Sequence, residues 1–271
     1  MQTILPESML LGSVVGIVLA FTGAGGAIIA VPLLIFGRHL AIADAAPIAL
    51  FAVSVSSAMG ALLALKRGKV RYRAVSLLAL AGLVASPLGV FLAQRIPDAP
   101  LTLLFAIVLA YAAFRTFRQS MRNPADDARD SSAAPCQLDS DGRLLWTWPC
   151  ARLMAIAGVS AGFLSGLLGV GGGFIIVPAL QKVTDLHMQS IVSTSLAVIA
   201  LVSGVGVISA VAIRGMDWAI AIPFSLGAVA GMLLVSAFAN RFTGPRLQQG
   251  FAILAGCVSI GIVVSQVQNL L

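Results

Sequence analysis

Two glycine runs and one run of hydroxyl side chains are the features of this sequence that could do chemistry. The glycine runs are residues 22–26 (Thr-Gly-Ala-Gly-Gly) and 169–173 (Gly-Val-Gly-Gly-Gly). Adjacent glycines allow a helix to break, and the N–H groups at the start of the next helix can then bind an anion. Consecutive hydroxyls at 193–195 could support such a site. The predicted anion-binding residues are Gly25, Gly26, Gly171, Gly172, Gly173, Ser193, Thr194 and Ser195.

Each of these residues also has a purely structural explanation. Small residues allow helices to pack closely in membranes, and for the GxxxG pairs Gly12/Gly16 and Gly158/Gly162 we predict packing. A serine or threonine in a helix often bonds to its own backbone. Neither glycine run is followed by Lys-Ser or Lys-Thr, so a nucleotide-binding loop is excluded.

The residues needed for enzyme or metal chemistry do not occur in a suitable pattern. The middles of the apolar runs hold no Asp, Glu, Lys or Arg, and the sequence offers no Ser/His/Asp set and no metal cluster. We therefore predict no enzyme activity, no catalytic residue, no metal and no cofactor. Cys136, Cys150 and Cys257 are odd in number and lack CxxC spacing, so neither a disulfide nor a zinc site is indicated.

Composition predicts the kind of element that positions the glycines and hydroxyls. The chain of 271 residues is 59% hydrophobic and 10% charged, whereas a soluble domain is about 45–50% apolar and about 25% charged. The predicted fold is an all-α polytopic protein of the cytoplasmic membrane, with the lipid bilayer as a partner. The apolar runs are 8–37, 42–65, 74–93, 101–114, 153–180, 188–213, 218–239 and 250–264.

The net charge of +7 would suggest nucleic-acid binding in a soluble protein. Here the basic residues lie in short connections between apolar runs, where they determine membrane topology. Nucleic acid is therefore not a predicted partner.

The sequence contains an internal repeat at a constant offset of 146 residues. Five glycines and a Val-Pro pair align without gaps, and the register continues to Ser57 over Ser203 and Gly60 over Gly206. Residues 1–118 and 151–271 are therefore two homologous transmembrane repeats, and 119–150 is a polar linker. Each repeat is predicted to contain a glycine-broken, re-entrant segment and three transmembrane helices.

Charges in equivalent loops indicate that the repeats are inverted. Loop 66–73 carries five cations, whereas its equivalent, 214–217, carries one cation and one anion. This contrast predicts a cytoplasmic location for loop 66–73 and the linker, and an external one for loop 214–217. The arms of each broken segment, of about 15 and 11 residues, are predicted to be too short to cross alone.

The second repeat resembles the TauE/SafE sulfite exporter family. The resemblance lies in residues 162–174 (GFLSGLLGVGGGF), in Val177-Pro178 and in residues 193–197 (STSLA). The first repeat departs from the pattern at Ala20, Thr22 and Ala27. The resemblance implies a secondary transporter of a small anion, with export of sulfite or a related sulfur oxyanion or sulfonate as the expected function. Uptake of another small organic anion, a non-transporting membrane assembly or scaffold protein, and formation of a homo-oligomer are left open.

Overall fold

The computed structural model describes residues 4–23, 25–38, 40–68, 70–120, 136, 147–184 and 188–238, with 253, 256–259 and 261–262. Within these residues the long elements are all helices, which confirms the all-α fold. The helices are α1 (Ile4–Thr22), α2 (Gly25–Arg38), α3 (Ile42–Lys66), α4 (Tyr72–Ala93), α5 (Asp98–Ser120), α6 (Trp148–Leu168), α7 (Gly173–Val183), α8 (Met188–Arg214) and α9 (Trp218–Phe238).

Six of these helices, α3, α4, α5, α6, α8 and α9, are long and apolar enough to cross a membrane. Apolar side chains also cover their outer surfaces: Leu80, Val84 and Leu88 on α4 are more than half exposed, as expected where a helix faces lipid. These features identify a multi-pass membrane protein. The predicted final helix at 250–264 lies largely outside the described residues.

Each glycine run forms the tip of a helical hairpin. In the first hairpin, α2 returns alongside α1: Gly26 packs against Leu19, and Arg38 Nη1 lies 3.3 Å from Glu7 Oε2 at the far end. In the second hairpin, α7 returns alongside α6, and Gly172 packs against Ala161. The two arms of each hairpin are therefore antiparallel.

The first arm of each hairpin is longer than the sequence predicted. Helix α1 has 19 residues and α6 has 21, and α6 qualifies as a membrane span. The prediction that these arms are too short to cross is wrong for α6, because the helix begins at Trp148, before the apolar run that starts at Leu153. A helix of this length extends about 31 Å, so its tip lies near the far end of the bundle.

The hairpins are held by close backbone contacts with the opposite half of the chain. Helix α1 packs against α9, and α6 packs against α4. At both interfaces a Cβ added to a glycine would meet a carbonyl group of the neighbouring helix, which confirms that the GxxxG glycines serve packing. The pairs are Gly12 with Phe224, Gly16 with Ala228, Gly158 with Leu78 and Gly162 with Gly82. The offset of 146 relates the first pair to the third and the second pair to the fourth, so the two interfaces are equivalent.

At the centre, α3 and α8 pack against each other in opposite directions. A Cβ on Gly60 would lie 3.2 Å from Leu196 Cδ1, and a Cβ on Gly206 would lie 3.3 Å from Leu50 Cδ1. The two contacts are equivalent, because Gly60 and Gly206 are separated by the offset of 146, as are Leu50 and Leu196. Because α3 and α8 are equivalent helices that run antiparallel, this packing is what inverted repeats would produce. The orientation of the repeats in the membrane stays a prediction.

Cys136 and Cys150 form a disulfide, with their Cα atoms 5.2 Å apart. The expectation that no disulfide is indicated is therefore wrong. The backbone N–H of Cys136 donates to the Val183 carbonyl at 3.0 Å, which holds this part of the linker at the end of α7, where α6 begins. Sequence spacing could not reveal the pair, because a contact with α7 brings the two cysteines together.

Charge and redox chemistry give opposite indications for the compartment at this end of the bundle. A disulfide indicates an oxidising compartment, whereas an excess of cations in short loops indicates the cytoplasm. The excess of cations is found in several loops, whereas the disulfide is a single pair, so we keep the cytoplasmic prediction for this end. Lys66, Arg67, Arg71, Arg73, Arg152 and Lys182 lie at this end, and Arg38, Arg95 and Arg214 lie at the other.

This topology predicts that Arg73→Cys and Gly215→Cys variants react from opposite sides of the membrane. Position 73 lies in the first turn of α4, and position 215 follows the end of α8. Labelling of cells with an impermeant maleimide, in a background without native cysteines, should modify position 215 and leave position 73 unmodified until the cells are opened. Modification of both positions from the same side would contradict the inverted arrangement.

The α4–α6 contact predicts that Gly162→Ala lowers the stability of the protein, whereas a glycine-to-alanine change within a helix usually raises it. In an ordinary helix interior this change adds about 1 kcal/mol of stability. Here the new Cβ would meet the backbone of Gly82, so we expect a loss of about 1–3 kcal/mol. Thermal unfolding in detergent would measure the change, with Val159→Leu on the exposed face of α6 as the control. An unchanged or raised melting temperature for Gly162→Ala would contradict the close contact.

Candidate functional site

The first hairpin tip lies against α8 and meets one of the predicted hydroxyls. Gly23 has φ of 66°, and a Cβ there would lie 2.7 Å from Val192 Cγ1, so a larger residue would be both strained and crowded. The Ser195 hydroxyl is fully buried. It shares its proton between the carbonyls of Gly23 at 3.1 Å and Val192 at 2.8 Å, and it therefore links the break in the first half to a helix of the second.

Thr194 and Arg71 lie beside this tip. Thr194 is fully buried, and its Oγ1 accepts a hydrogen bond from the Arg71 backbone N–H at 3.3 Å. The Nε of Arg71 is also buried and has no hydrogen-bond partner among the described residues. Buried donors of this kind are normally satisfied, so the Arg71 Nε–H is a donor that a bound anion could accept from.

The sequence analysis missed Arg71, which it counted only among the cations of loop 66–73. No sequence signal separates Arg71 from its basic neighbours, because the distinction arises on folding: its backbone N–H contacts Thr194 of α8, and its Nε is buried. Ser193 behaves differently from the next two residues. Its hydroxyl donates to the Gln189 carbonyl of its own helix at 2.7 Å, so the structural explanation applies to this residue.

The second hairpin tip lies against the start of α3. Gly169, Gly171 and Gly172 all have positive φ, between 65° and 72°, and a Cβ on Gly169 would lie 2.5 Å from Ala46 Cβ. Helix α7 begins at Gly173, so the first amides of α7 have no acceptor within the helix. The N–H groups of Ile175 and Ile176 already donate to the Gly172 carbonyl, at 3.1 and 3.3 Å.

A small cavity of about 30 Å³ opens near the second tip, between α3, α4, α5, α6 and α8. This volume is enough for at least one water molecule. Its lining is almost entirely apolar, with Gln94 as the polar exception. The lining residues include Ala43, Ala46, Pro47, Leu50, Gln94 and Gly166.

The two tips lie at opposite ends of the α3–α8 pair. The first tip contacts Val192, and the second contacts Ala46, which lies level with Ala210 across the cavity. About 18 helical residues separate these levels on α8, which corresponds to roughly 27 Å. The structure therefore brings Thr194 and Ser195 to the first tip and leaves Gly171, Gly172 and Gly173 at the other end.

The remaining predicted glycines lie at the first tip. Gly26 is buried, and a Cβ there would meet Val15 and Leu19 of α1 at about 2.5 Å. Its small size therefore allows the arms of the hairpin to pack. Gly25 begins α2, where the first amides of the helix point toward the tip.

The chain matches a family model over almost its whole length. The family is described as Sulfite exporter TauE/SafE, and the match covers residues 8–262. A "Probable membrane transporter protein" of Xylella fastidiosa is 27% identical over 259 residues, covering 93% of this chain and 92% of the relative. The "Probable membrane transporter protein YunE" of Bacillus subtilis is 24% identical, with 92% and 94% covered. No solved structure matches the chain significantly.

The hydroxyl bonds predict different effects for Ser195→Ala and Ser193→Ala. Loss of the Ser195 bond to the Gly23 carbonyl should lower the free energy of unfolding by about 1 kcal/mol. Ser193 bonds only within its own helix, so Ser193→Ala should cost less than half as much. Denaturant unfolding in mixed micelles would measure both, and hydrogen exchange should rise at residues 22–26 in Ser195→Ala alone. Equal effects of the two changes would contradict the role given to Ser195.

Proposed function

Because the chain belongs to the TauE/SafE family of membrane transporters, we propose that it exports sulfite or a related sulfur oxyanion or sulfonate across the cytoplasmic membrane. The observation that carries this proposal is the group at the first tip. Arg71 supplies a cation whose buried Nε has no hydrogen-bond partner among the described residues, and Thr194 supplies a buried hydroxyl beside the glycine break. Ser195 holds the break through its hydrogen bond to the Gly23 carbonyl.

The distribution of charge supports an anionic substrate. In the described helices, acidic and basic side chains lie within about two turns of a helix end. The polar side chains in the middle of these helices are all uncharged. A carboxylate in the path would repel an oxyanion, whereas amide and hydroxyl groups can donate to it. Arginine is particularly suited to oxyanions because its planar group donates two parallel hydrogen bonds.

The two tips then serve opposite ends of one path. The end that carries Arg71 is assigned to the cytoplasm, so the first tip, with the N–H groups near Gly25 and Gly26, captures the anion there. The second tip, with the N–H groups of Gly171, Gly172 and Gly173, receives it at the external end. Amides at the start of a helix favour negative charge.

The scaffold alternative finds less support in the packing. A scaffold would need its GxxxG faces free for partner subunits. Gly12 and Gly16 are already packed against α9, and Gly158 and Gly162 against α4. Uptake of an organic anion differs from the proposed export in substrate and direction. One flux assay that measures substrate and direction can therefore distinguish uptake from export.

A flux assay tests the substrate and direction. Purified protein in proteoliposomes should accelerate efflux of radiolabelled sulfite from the cytoplasmic side above protein-free vesicles, and sulfate, sulfonates and carboxylates should be compared as competitors. Stronger competition by carboxylates than by any sulfur compound would overturn the substrate class. Absence of flux for every anion would overturn the transport function.

The role of Arg71 predicts a difference between Arg71→Gln and Arg73→Gln. Both changes remove one cation from the same loop, so they alter the loop's charge equally. Loss of a charged donor should reduce sulfite transport about tenfold or more in Arg71→Gln, whereas exposed Arg73 should show less than about a twofold change. Equal loss in both variants would show that Arg71 acts only through general charge.

Substitution of Gly172 is a less selective test of the second tip. Its φ of 65° and a Cβ position 2.7 Å from the Ala161 carbonyl mean that any side chain would strain the hairpin itself. Loss of transport in Gly172→Val would therefore reflect folding as well as binding.

A further inference from the structure

Two buried hydroxyls at equivalent positions of the repeats have no hydrogen-bond partner. Ser57 and Ser203 are separated by the offset of 146, and both are fully buried. Among the described residues neither Oγ has a hydrogen-bond partner. A buried polar group without a partner is unfavourable, and its presence calls for an explanation.

The other hydroxyls nearby differ from this pair because each has an acceptor. Ser56 donates to the Ala52 carbonyl of its own helix at 2.6 Å. Ser54 donates to the Ala200 carbonyl across the α3–α8 interface at 3.0 Å. Ser57 and Ser203 are therefore the hydroxyls of this interface that could donate to a bound group.

Helical spacing places both hydroxyls in the α3–α8 interface. Ser57 lies three residues from Ser54 and from Gly60, which both contact α8, so it shares their face. Ser203 is likewise three residues from Ala200 and three from Gly206, which both contact α3, so it lies on the face of α8 toward α3. Because α3 and α8 are antiparallel and Gly60 lies beside Leu196, Ser57 lies beside residue 199 of α8. Ser203 is four residues further along α8, which is about 6 Å along the helix axis. A small oxyanion could contact both hydroxyls across that distance.

Two buried leucine contacts bracket this region. Leu196 packs on Gly60 on one side, and Leu50 packs on Gly206 on the other. Leu196 directly follows Ser195, which bonds to the first tip. Leu50 lines the cavity near the second tip. Each leucine therefore lies between the hydroxyl pair and one of the two ends of the proposed path.

We propose that the region between these leucine contacts is the central anion-binding position of the transport path. Ser57 and Ser203 donate to oxygens of the sulfur oxyanion, and Leu50 and Leu196 close the position toward the external and cytoplasmic ends. This inference rests on the proposed function, because it assigns a binding position to the same substrate.

Sulfite transport by Ser57→Ala and Ser203→Ala tests the proposal, with Ser56→Ala as the matched control. All three changes remove one fully buried hydroxyl from α3 or α8. The KM should rise at least fivefold in each of the first two variants and further in the double variant, and it should change less than twofold in Ser56→Ala. The melting temperature should not fall in Ser57→Ala or Ser203→Ala, because no intramolecular bond is lost. A wild-type KM in the double variant would overturn the proposal.

Cysteine accessibility provides a second test that does not require sulfite transport. Ser57→Cys and Ser56→Cys variants, in a background without native cysteines, would be treated with an anionic methanethiosulfonate carrying a sulfonate group. The cysteine at position 57 should react at least tenfold faster than the one at 56. Equal rates would overturn the central position. Faster reaction at 57 in a protein that does not transport sulfite would retain this position and reject only the proposed substrate.

Discussion

The close approach of helix backbones at glycine is the constraint on which the rest of this structure depends. At Gly12, Gly16 and Gly162 the neighbouring carbonyl occupies the space that a methyl group would need. Apolar side chains give no preference for protein over lipid in a membrane, so helix association relies on such contacts and on interhelical hydrogen bonds. The glycines hold each long hairpin arm beside a helix of the other half. That placement determines where the tips meet α3 and α8.

Much of the fold could be predicted from sequence because the repeat is exact in register. The offset of 146 and the two glycine runs predicted the hairpins and the positions of the helices that follow them. The position of the tips could not be predicted, because it depends on how far α6 extends before Leu153, where the apolar run begins. The assignment of both glycine runs to one predicted anion site depended on short arms. With the longer α6, the breaks lie at opposite ends.

Part of the candidate site was also accessible from sequence. The hydroxyl run at 193–195 pointed to residues that contact the first tip, although Ser193 bonds only to its own helix. Arg71 could not be distinguished from the other loop cations, since the burial of its Nε and its backbone contact with Thr194 arise only in the folded protein. The pairing of Ser57 with Ser203 was visible in the alignment of the repeats, but their lack of partners is a property of the packed interface.

The exchange of packing partners between the halves has a consequence for biosynthesis. Helix α1 emerges from the ribosome before its main neighbour, α9, which is made more than 190 residues later. Until then its glycine face has only lipid or the translocation machinery to cover it, because contacts distant in sequence form late. Helix α6 finds α4 already in the membrane and can dock at once. The second hairpin is therefore assembled before the first, although it is synthesised after it.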